Sequence, residues 1–424
     1  MADPVRPEAE AEAGTTGFAS LCYPEFALFF FGKFFVISST YMITTALGYQ
    51  VYDRTEDAMS LAYIALAIAG PAFVFALLTG YAADRFERRT LLIVCYGIMG
   101  VAAVGFFLLT IFDILALGPI FALLLLLGTG RAFYAPAASA IVPTLVPLAL
   151  FPNAVAWNTS ASKTAQVCGP AAGGLLYLLG PEVVYATSAV TFALGACALA
   201  FIKPRAGGAS KGALDLKALL AGLVYVYRNK LIFGSITVDL LVLFAGGVVA
   251  MLPIFARDIL EVGPAGAGFL RSAMALGGLA AALALVRIPI ERDAGAIMFI
   301  VVGIFGLSIV VFGLSTSFLL SVVTMAVMGA SDMVSVFIRN VLLQIATPNE
   351  MRGRVSAVNS VFVAGSNEIG DFRAGVMAAW LGAVPAVLIG GVSAILVAAV
   401  CWKIFPELAR VDRMDQKLQI PVKS

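Results

Sequence analysis

Long apolar stretches alternate with short polar breaks along most of the chain. Twelve stretches can be delimited, each long enough for the roughly 20 residues that an α-helix needs to cross a hydrocarbon core. Their approximate ranges are 25–49, 59–82, 90–111, 115–140, 153–179, 182–202, 231–257, 264–288, 294–315, 317–345, 352–380 and 384–405. The pattern predicts an all-α integral membrane protein with twelve transmembrane helices, numbered here as spans 1 to 12.

Composition supports a membrane protein and disfavours an enzyme. Of the 424 residues, 61% are hydrophobic and only 12% are charged, whereas about 25% are charged in soluble domains. Histidine is absent, so the sequence lacks the commonest metal ligand and the usual neutral-pH proton shuttle. The five cysteines are scattered. We therefore expect no metal, no cofactor, no enzymatic activity and no nucleic-acid partner, and any proton chemistry must use carboxylates.

The distribution of basic residues between the stretches predicts the orientation. Of the 27 Lys and Arg residues, 19 lie in the two terminal tails and the loops on the same side as them, whereas only Arg54 and Arg257 lie in the loops on the other side. The positive-inside rule then places both termini in the cytoplasm. The predicted organisation is a disordered cytoplasmic tail over 1–24, a six-helix bundle over 25–202, a cytoplasmic linker with an amphipathic helix over 203–230, a second six-helix bundle over 231–405 and a cytoplasmic tail over 406–424.

An internal repeat supports two related bundles. At a constant offset, Pro147 corresponds to Pro348 and Asn158 to Asn359, so spans 4–5 repeat as spans 10–11. Parallel repeats of six helices are typical of transporters, which place their substrate site near mid-membrane between the halves.

Several motifs are similar to a known superfamily. "GYAADRFERR" at 80–89 resembles the signature that follows span 2 in the major facilitator superfamily, with Glu87 in place of its second glycine. "CGPAAGG" at 168–174 resembles the span 5 motif of the superfamily's exporters. "ALGYQVYDRT", "RGRVSAVNSVF" and "SNEIGDFRAG" resemble the enterobactin-exporter-like branch, which includes siderophore and multidrug efflux proteins. The resemblance implies the major facilitator fold.

The two motifs carry specific expectations. In this fold span 11 begins near the first motif, so Asp84 would face a helix N-terminus, which attracts an anion. The expected gating latch consists of Gly80, Asp84, Arg85, Arg88, Arg89 and Arg354. In the alternative interpretation, the arginines serve only the positive-inside rule. The span 5 motif, Gly169, Pro170, Gly173 and Gly174, permits a kink and close helix packing, and a structural role stays as open as a gating one.

Charged residues inside the spans are candidate functional groups, because a charge in the bilayer is costly. The superfamily fold lines its central cavity with spans 1, 4, 7 and 10. The candidate proton carriers are Asp239, Asp332 and Glu368. The candidate cavity residues are Lys33, Tyr41, Arg131, Asn158, Lys163, Gln166, Ser335, Arg339 and Asp371. Fixed ion pairs that hold helices together are the alternative interpretation.

These features together predict a secondary transporter. We expect a proton-coupled exporter of a small organic molecule, such as a siderophore or an amphiphilic drug, working by alternating access. The resemblance implies a monomer in the bacterial inner membrane, with protons, substrate and membrane lipids as partners. A lipid or lysolipid transporter and an importer on the same fold are the alternatives, and the sequence leaves sodium coupling open.

Overall fold

The computed structural model describes residues 17–114, 116–203, 223–348 and 351–412. These residues form α-helices joined by short turns and contain no strand. The first six spans are Pro24–Thr55, Ala58–Val74 continued by Ala76–Arg85, Arg88–Ile111, Leu117–Leu145, Phe151–Tyr177 and Pro181–Ala200. Span 7 is Lys230–Gly246 followed by the short helices Val249–Met251, Leu252–Ile254 and Phe255–Ile259. Spans 8 to 12 are Gly263–Arg287, Ala294–Leu314, Phe318–Ile345, Arg352–Leu381 and Ala383–Ile404.

The all-α prediction with twelve spans is confirmed. Nine of the described helices are long and apolar enough to cross a membrane by themselves. Helices suit this environment because lipid offers no hydrogen bonds, so each backbone group must find its partner within the protein. Spans 5 and 11 are long but fall outside the nine, because polar and charged residues such as Lys163, Glu368 and Asp371 lower their hydropathy.

Two spans are interrupted. Span 2 breaks at Phe75, one turn after Pro71, whose ring nitrogen has no hydrogen to donate. Span 7 breaks at Gly247, which adopts the left-handed conformation with φ 55°. A Cβ there would lie 2.5 Å from the carbonyl oxygen of Gly370 on span 11. Only glycine meets both requirements without strain.

The chain divides into two compact units, each described by itself. The first contains residues 1–46 and 70–213, and the second contains residues 47–69 and 214–424. The end of span 1 and the start of span 2 thus belong to the second unit, whereas the predicted division assigned them to the N-terminal bundle. The predicted bundle boundaries stay a prediction.

The ends and the linker are partly described. The predicted disordered tail needs correction near its end, where Ala19–Cys22 form a 3-10 helix. The Ser20 hydroxyl in this helix donates a hydrogen bond of 2.6 Å to Oδ1 of Asn153 on span 5. Residues 1–16 and 413–424 lie outside the described part of the chain. So do residues 204–222, which include most of the predicted amphipathic helix; residues 223–228 are helical.

Small residues bring helices together within the second unit. A Cβ on Gly277 of span 8 would lie 1.9 Å from the carbonyl oxygen of Ala326 on span 10. The reciprocal contact has the same geometry, with Gly329 against the carbonyl of Met274. Close backbone approach of this kind drives association in lipid, where burial of apolar surface contributes little. Span 10, which carries several candidate site residues, is thereby fixed against span 8.

Candidate functional site

A buried ion pair joins spans 7 and 10 in the second unit. Arg339 Nη1 contacts Asp239 Oδ1, and the two side chains are 2% and 7% exposed. Within the described part of the chain, Asp239 Oδ2 and Arg339 Nε have no hydrogen-bond partner. Two residues predicted separately, one as a proton carrier and one as a cavity group, thus form one pair. The pair therefore leaves part of the hydrogen-bonding capacity of both side chains unused.

Span 10 adds two predicted residues on the same side of the helix as Arg339. Ser335 is buried and lies one turn before Arg339, and the half-buried Asp332 lies two turns before it. Residues spaced by three or four positions share a helix face. The predicted arrangement of Asp332, Ser335 and Arg339 on one face is therefore present in a continuous helix, Phe318–Ile345.

Span 11 supplies polar side chains to the break in span 7. The Arg373 guanidinium donates to the carbonyl of Ala245, at the end of the first helix of span 7, and lies 5.5 Å from the ring centre of Phe244. The Asp371 carboxylate accepts a hydrogen bond from the backbone N–H of Ala250, beyond the break. Each side chain thus satisfies a backbone group that a continuous helix would have paired internally.

Asp371 also belongs to a small charged group. Glu368, one turn earlier on span 11, and Arg271 on span 8 both act electrostatically on the Asp371 carboxylate. Glu368 and Asp371 are half-buried. The predicted proton carrier Glu368 therefore lies close to a second carboxylate, Asp371, and Asp371 in turn lies close to a cation.

In the first unit, Lys33 and Asn158, which were predicted separately as cavity residues, contact each other. Lys33 is 7% exposed. Its Nζ donates two hydrogen bonds to Asn158, one of 2.6 Å to the side-chain oxygen and one of 3.1 Å to the backbone oxygen. This joins span 1 to span 5. Of the other predicted cavity residues in this unit, Tyr41, Lys163 and Gln166 are half-buried and Arg131 is exposed.

The span 5 glycines face span 1 within the first unit. A Cβ on Gly169 would lie 2.8 Å from the carbonyl oxygen of Ser38, and one on Gly173 would lie 2.8 Å from Cα of Met42. Pro170 and Gly174 are buried in the same helix. The motif therefore provides close packing against span 1.

The predicted latch residues have local partners. Arg89 donates hydrogen bonds of 2.9 Å and 2.7 Å to the carbonyl oxygens of Leu199 and Ala200, respectively, at the end of span 6. Arg88 donates 2.9 Å to the carbonyl of Ala140 on span 4. Carbonyls in the last turn of a helix have no partner within the helix, and arginine commonly supplies one. Arg89 thus stabilises the end of span 6, whereas Arg88 joins the start of span 3 to span 4, both within the first unit.

Of the other predicted latch residues, Arg85 and Arg354 make contacts within their own helix or the turn before it. Arg85 stacks on Tyr81 with 5.7 Å between guanidinium carbon and ring centre, and Gly80 is half-buried. Arg354 is exposed and contacts the Met351 sulfur. The side chain of Asp84 lies outside the described side chains. The latch therefore stays a prediction.

A cluster at the far end of span 1 was not predicted. Arg257 of span 7 contacts Asp53 Oδ1 at 3.0 Å and Glu56 Oε1 at 2.8 Å, and it lies 5.7 Å from the ring centre of Tyr52. The Tyr52 hydroxyl donates to Asp258 Oδ2. We call these five residues the Arg257 cluster; all lie in the second unit.

The backbone around this cluster is unusual. Arg257 and Asp258 lie on a π-helical turn, Phe255–Ile259, and such turns are frequent at functional sites. Glu56 has a φ of 51°, which a non-glycine residue adopts only at a cost. The sequence contained one signal: Asp53 and Asp258 align when spans 1 and 7 are compared as repeats. Their shared partner Arg257 was not recognised.

The helices and this arrangement of buried charges define a transporter of the major facilitator type. Two solved structures share the fold: a bacterial homologue of the human lysosomal transporter Spinster (TM-score 0.71, 14% identity, 92% of this chain and 98% of that one) and a D-xylose–proton symporter (TM-score 0.70, 16% identity, 94% and 100%). The chain belongs to the transmembrane secretion effector family of this superfamily, whose model matches residues 15–423.

Characterised relatives include exporters. The chain is 27% identical over 380 residues to enterobactin exporter EntS of Shigella boydii serotype 18, covering 88% of this chain and 86% of the relative. The same protein of Escherichia coli O157:H7 gives the same values. The predicted resemblance to the major facilitator superfamily and its enterobactin-exporter-like branch is confirmed.

Proposed function

We propose that this protein is a proton-coupled exporter that moves a small organic molecule out of the cytoplasm. The observation that carries the proposal is the buried pair of Asp239 and Arg339. A carboxylate and a guanidinium inside a membrane bundle are costly and mark a functional pathway. The enterobactin exporters among the relatives support export and a siderophore-like substrate, and an amphiphilic drug is the other substrate class that we propose.

Protonation of Asp239 supplies the coupling step. The protonated carboxyl group loses its Coulomb attraction to Arg339, so the contact between spans 7 and 10 weakens. A change in protonation then biases the equilibrium between two helix arrangements, and the proton gradient sets its direction. Asp332 and the pair of Glu368 and Asp371 are the further carboxylates available to carry protons in this proposal.

The Arg257 cluster is proposed as a gate contact. In the proposed orientation, with both termini cytoplasmic and the protein in a bacterial inner membrane, the cluster lies on the outer face. It connects the loop after span 1 to the end of span 7 through charges that are partly exposed; the Arg257 side chain is 26% exposed. Individual contacts of this kind contribute about 0–1 kcal/mol, so the cluster can form and break during transport.

The test begins with cells. The gene is deleted, cells are starved of iron, and siderophores, drugs and lysolipids are quantified by mass spectrometry inside the cells and in the medium. We expect one compound class to accumulate inside and to be released again by the wild-type gene but not by Asp239→Asn. Glu291→Gln, which removes the charge of an exposed loop carboxylate, is the matched control and is expected to restore export.

A reconstituted system then tests coupling. Purified protein in liposomes that contain a pH-sensitive dye should move protons against the identified substrate, and Asp239→Asn should abolish this movement. Export that persists at the wild-type rate in Asp239→Asn contradicts the assigned proton carrier. Substrate transport that is driven by a sodium gradient in the absence of a proton gradient would contradict proton coupling. Export of lysolipid alone would favour the lipid transporter.

A further inference from the structure

A cavity of about 420 Å³ lies beside the start of span 7 in the second unit. Its lining is almost entirely apolar and comes from the linker segment 223–228, from the first turns of span 7 and from span 11. It includes Leu223, Tyr227, Arg228, Phe233, Leu240 and Phe362. The volume falls within the range of small-molecule sites, about 300–1,000 Å³.

The linker segment that lines this cavity is held by hydrogen bonds and ring packing. The Tyr225 hydroxyl donates 3.1 Å to the carbonyl of Ala346, at the end of span 10. Asn229 caps span 7, accepting hydrogen bonds from the N–H groups of Leu231 and Ile232 at 3.1 and 3.3 Å. The Tyr227 ring packs edge-on against Phe233 at 5.5 Å. The cavity therefore has walls fixed by hydrogen bonds and ring packing.

Charge is the second feature of this cavity. Arg228 lines the cavity and is exposed, two residues before span 7 begins at Lys230, and we expect a residue at the end of a span to lie at the depth of lipid headgroups. The neighbouring Lys230 lies 3.8 Å from Glu407. Among the residues that the structure describes, no carboxylate pairs with Arg228. An apolar cavity with a cation at headgroup depth matches an amphiphile that has a long chain and an anionic head.

We propose that this cavity binds an anionic phospholipid of the surrounding bilayer, with one acyl chain among Phe233, Leu240 and Phe362 and the phosphate on Arg228. The chain restores the van der Waals contacts that an unfilled cavity lacks. Filling the cavity gives little preference for one lipid over another, because the bilayer interior is as apolar as the cavity. The headgroup preference comes from Arg228.

Native mass spectrometry of the purified full-length protein tests this proposal. Phosphatidylglycerol and phosphatidylcholine with identical acyl chains are titrated in parallel. A cation near a membrane surface favours an anionic lipid about fivefold, so we expect a phosphatidylglycerol preference of that size. Arg228→Gln should reduce the preference to near one. Arg292→Gln, which removes an exposed cation from a loop away from the cavity lining, should leave it unchanged.

A second pair of variants tests the chain site. Leu240→Trp fills the cavity and should weaken binding of both lipids at least fivefold, and Thr237→Val, which preserves the shape of another lining residue, should not. If Leu240→Trp does not elute as a single species, Ile236→Phe replaces it. Equal losses in Arg228→Gln and Arg292→Gln would overturn the headgroup assignment. Undiminished binding in the cavity-filling variant would overturn the chain assignment.

Discussion

Substitution of Asp239 by Asn should destabilise the protein by about 3 kcal/mol. Asn preserves the shape of the side chain but removes the charge that faces Arg339, whose side chain is only 2% exposed. Loss of one partner from a buried pair costs about 3–5 kcal/mol in soluble proteins. The lower end of this range, about 3 kcal/mol, changes the unfolding equilibrium about 150-fold.

A double-mutant cycle separates the pair from its surroundings. Arg339→Met removes the guanidinium and retains an extended side chain, so Asp239→Asn/Arg339→Met contains no unpaired charge. Because replacement of both charged partners is often neutral, we expect the double variant within about 1 kcal/mol of wild type and a coupling energy of about 2 kcal/mol or more. Unfolding in mixed detergent micelles measures all four proteins. Glu291→Gln, on an exposed loop, is the control.

Transport provides the second measurement for these variants. The double variant regains stability but still lacks the carboxylate, so we expect it to fold and to lack proton-coupled export. Strict additivity of the two single substitutions would refute the ion pair as the source of the effect. Wild-type stability of Asp239→Asn would refute the argument from burial.

Two further predictions concern the first unit. Gly169→Ala should destabilise by about 1–3 kcal/mol, the usual cost of overpacking, because its Cβ would lie 2.8 Å from the carbonyl oxygen of Ser38. The control is Gly97→Ala in span 3, because a Cβ on Gly97 would have no neighbouring atom within 4 Å. This variant should be as stable as the wild type or more stable. Equal effects of the two substitutions on stability would contradict the packing argument. Lys33→Met should lower the free energy of unfolding by about 1.5–3 kcal/mol, because Lys33 makes a charged hydrogen bond to Asn158. Thermal unfolding measures this change. An unchanged stability would contradict a stabilising role for the bond.

The sequence predicted the spans well because lipid demands a long apolar helix wherever the chain crosses. It also singled out Asp239 and Arg339, since charged residues stand out within apolar stretches. Their pairing was not predicted. The two positions are 100 residues apart, and contact between them depends on how spans 7 and 10 pack, which no local pattern records.

The break in span 7 was missed for a different reason. The stretch around Gly247 is apolar throughout and satisfies the pattern of a continuous helix. Asp371 was predicted as a cavity group because of its charge, but in the structure it accepts a hydrogen bond from the backbone of Ala250. A carboxylate that serves a backbone group on another helix has the same sequence signature as one that faces a substrate.

The break in span 7 has a consequence for biosynthesis. During translation span 7 enters the membrane long before span 11, which carries Arg373 and Asp371. Until then the carbonyl of Ala245 and the N–H of Ala250 lack these partners, and unsatisfied backbone groups are costly in lipid. We therefore expect span 7 to enter as a more regular helix and to acquire its break afterwards. Truncated chains that end before span 11 should retain the unbroken form, so the mature shape of span 7 depends on residues made more than a hundred positions later.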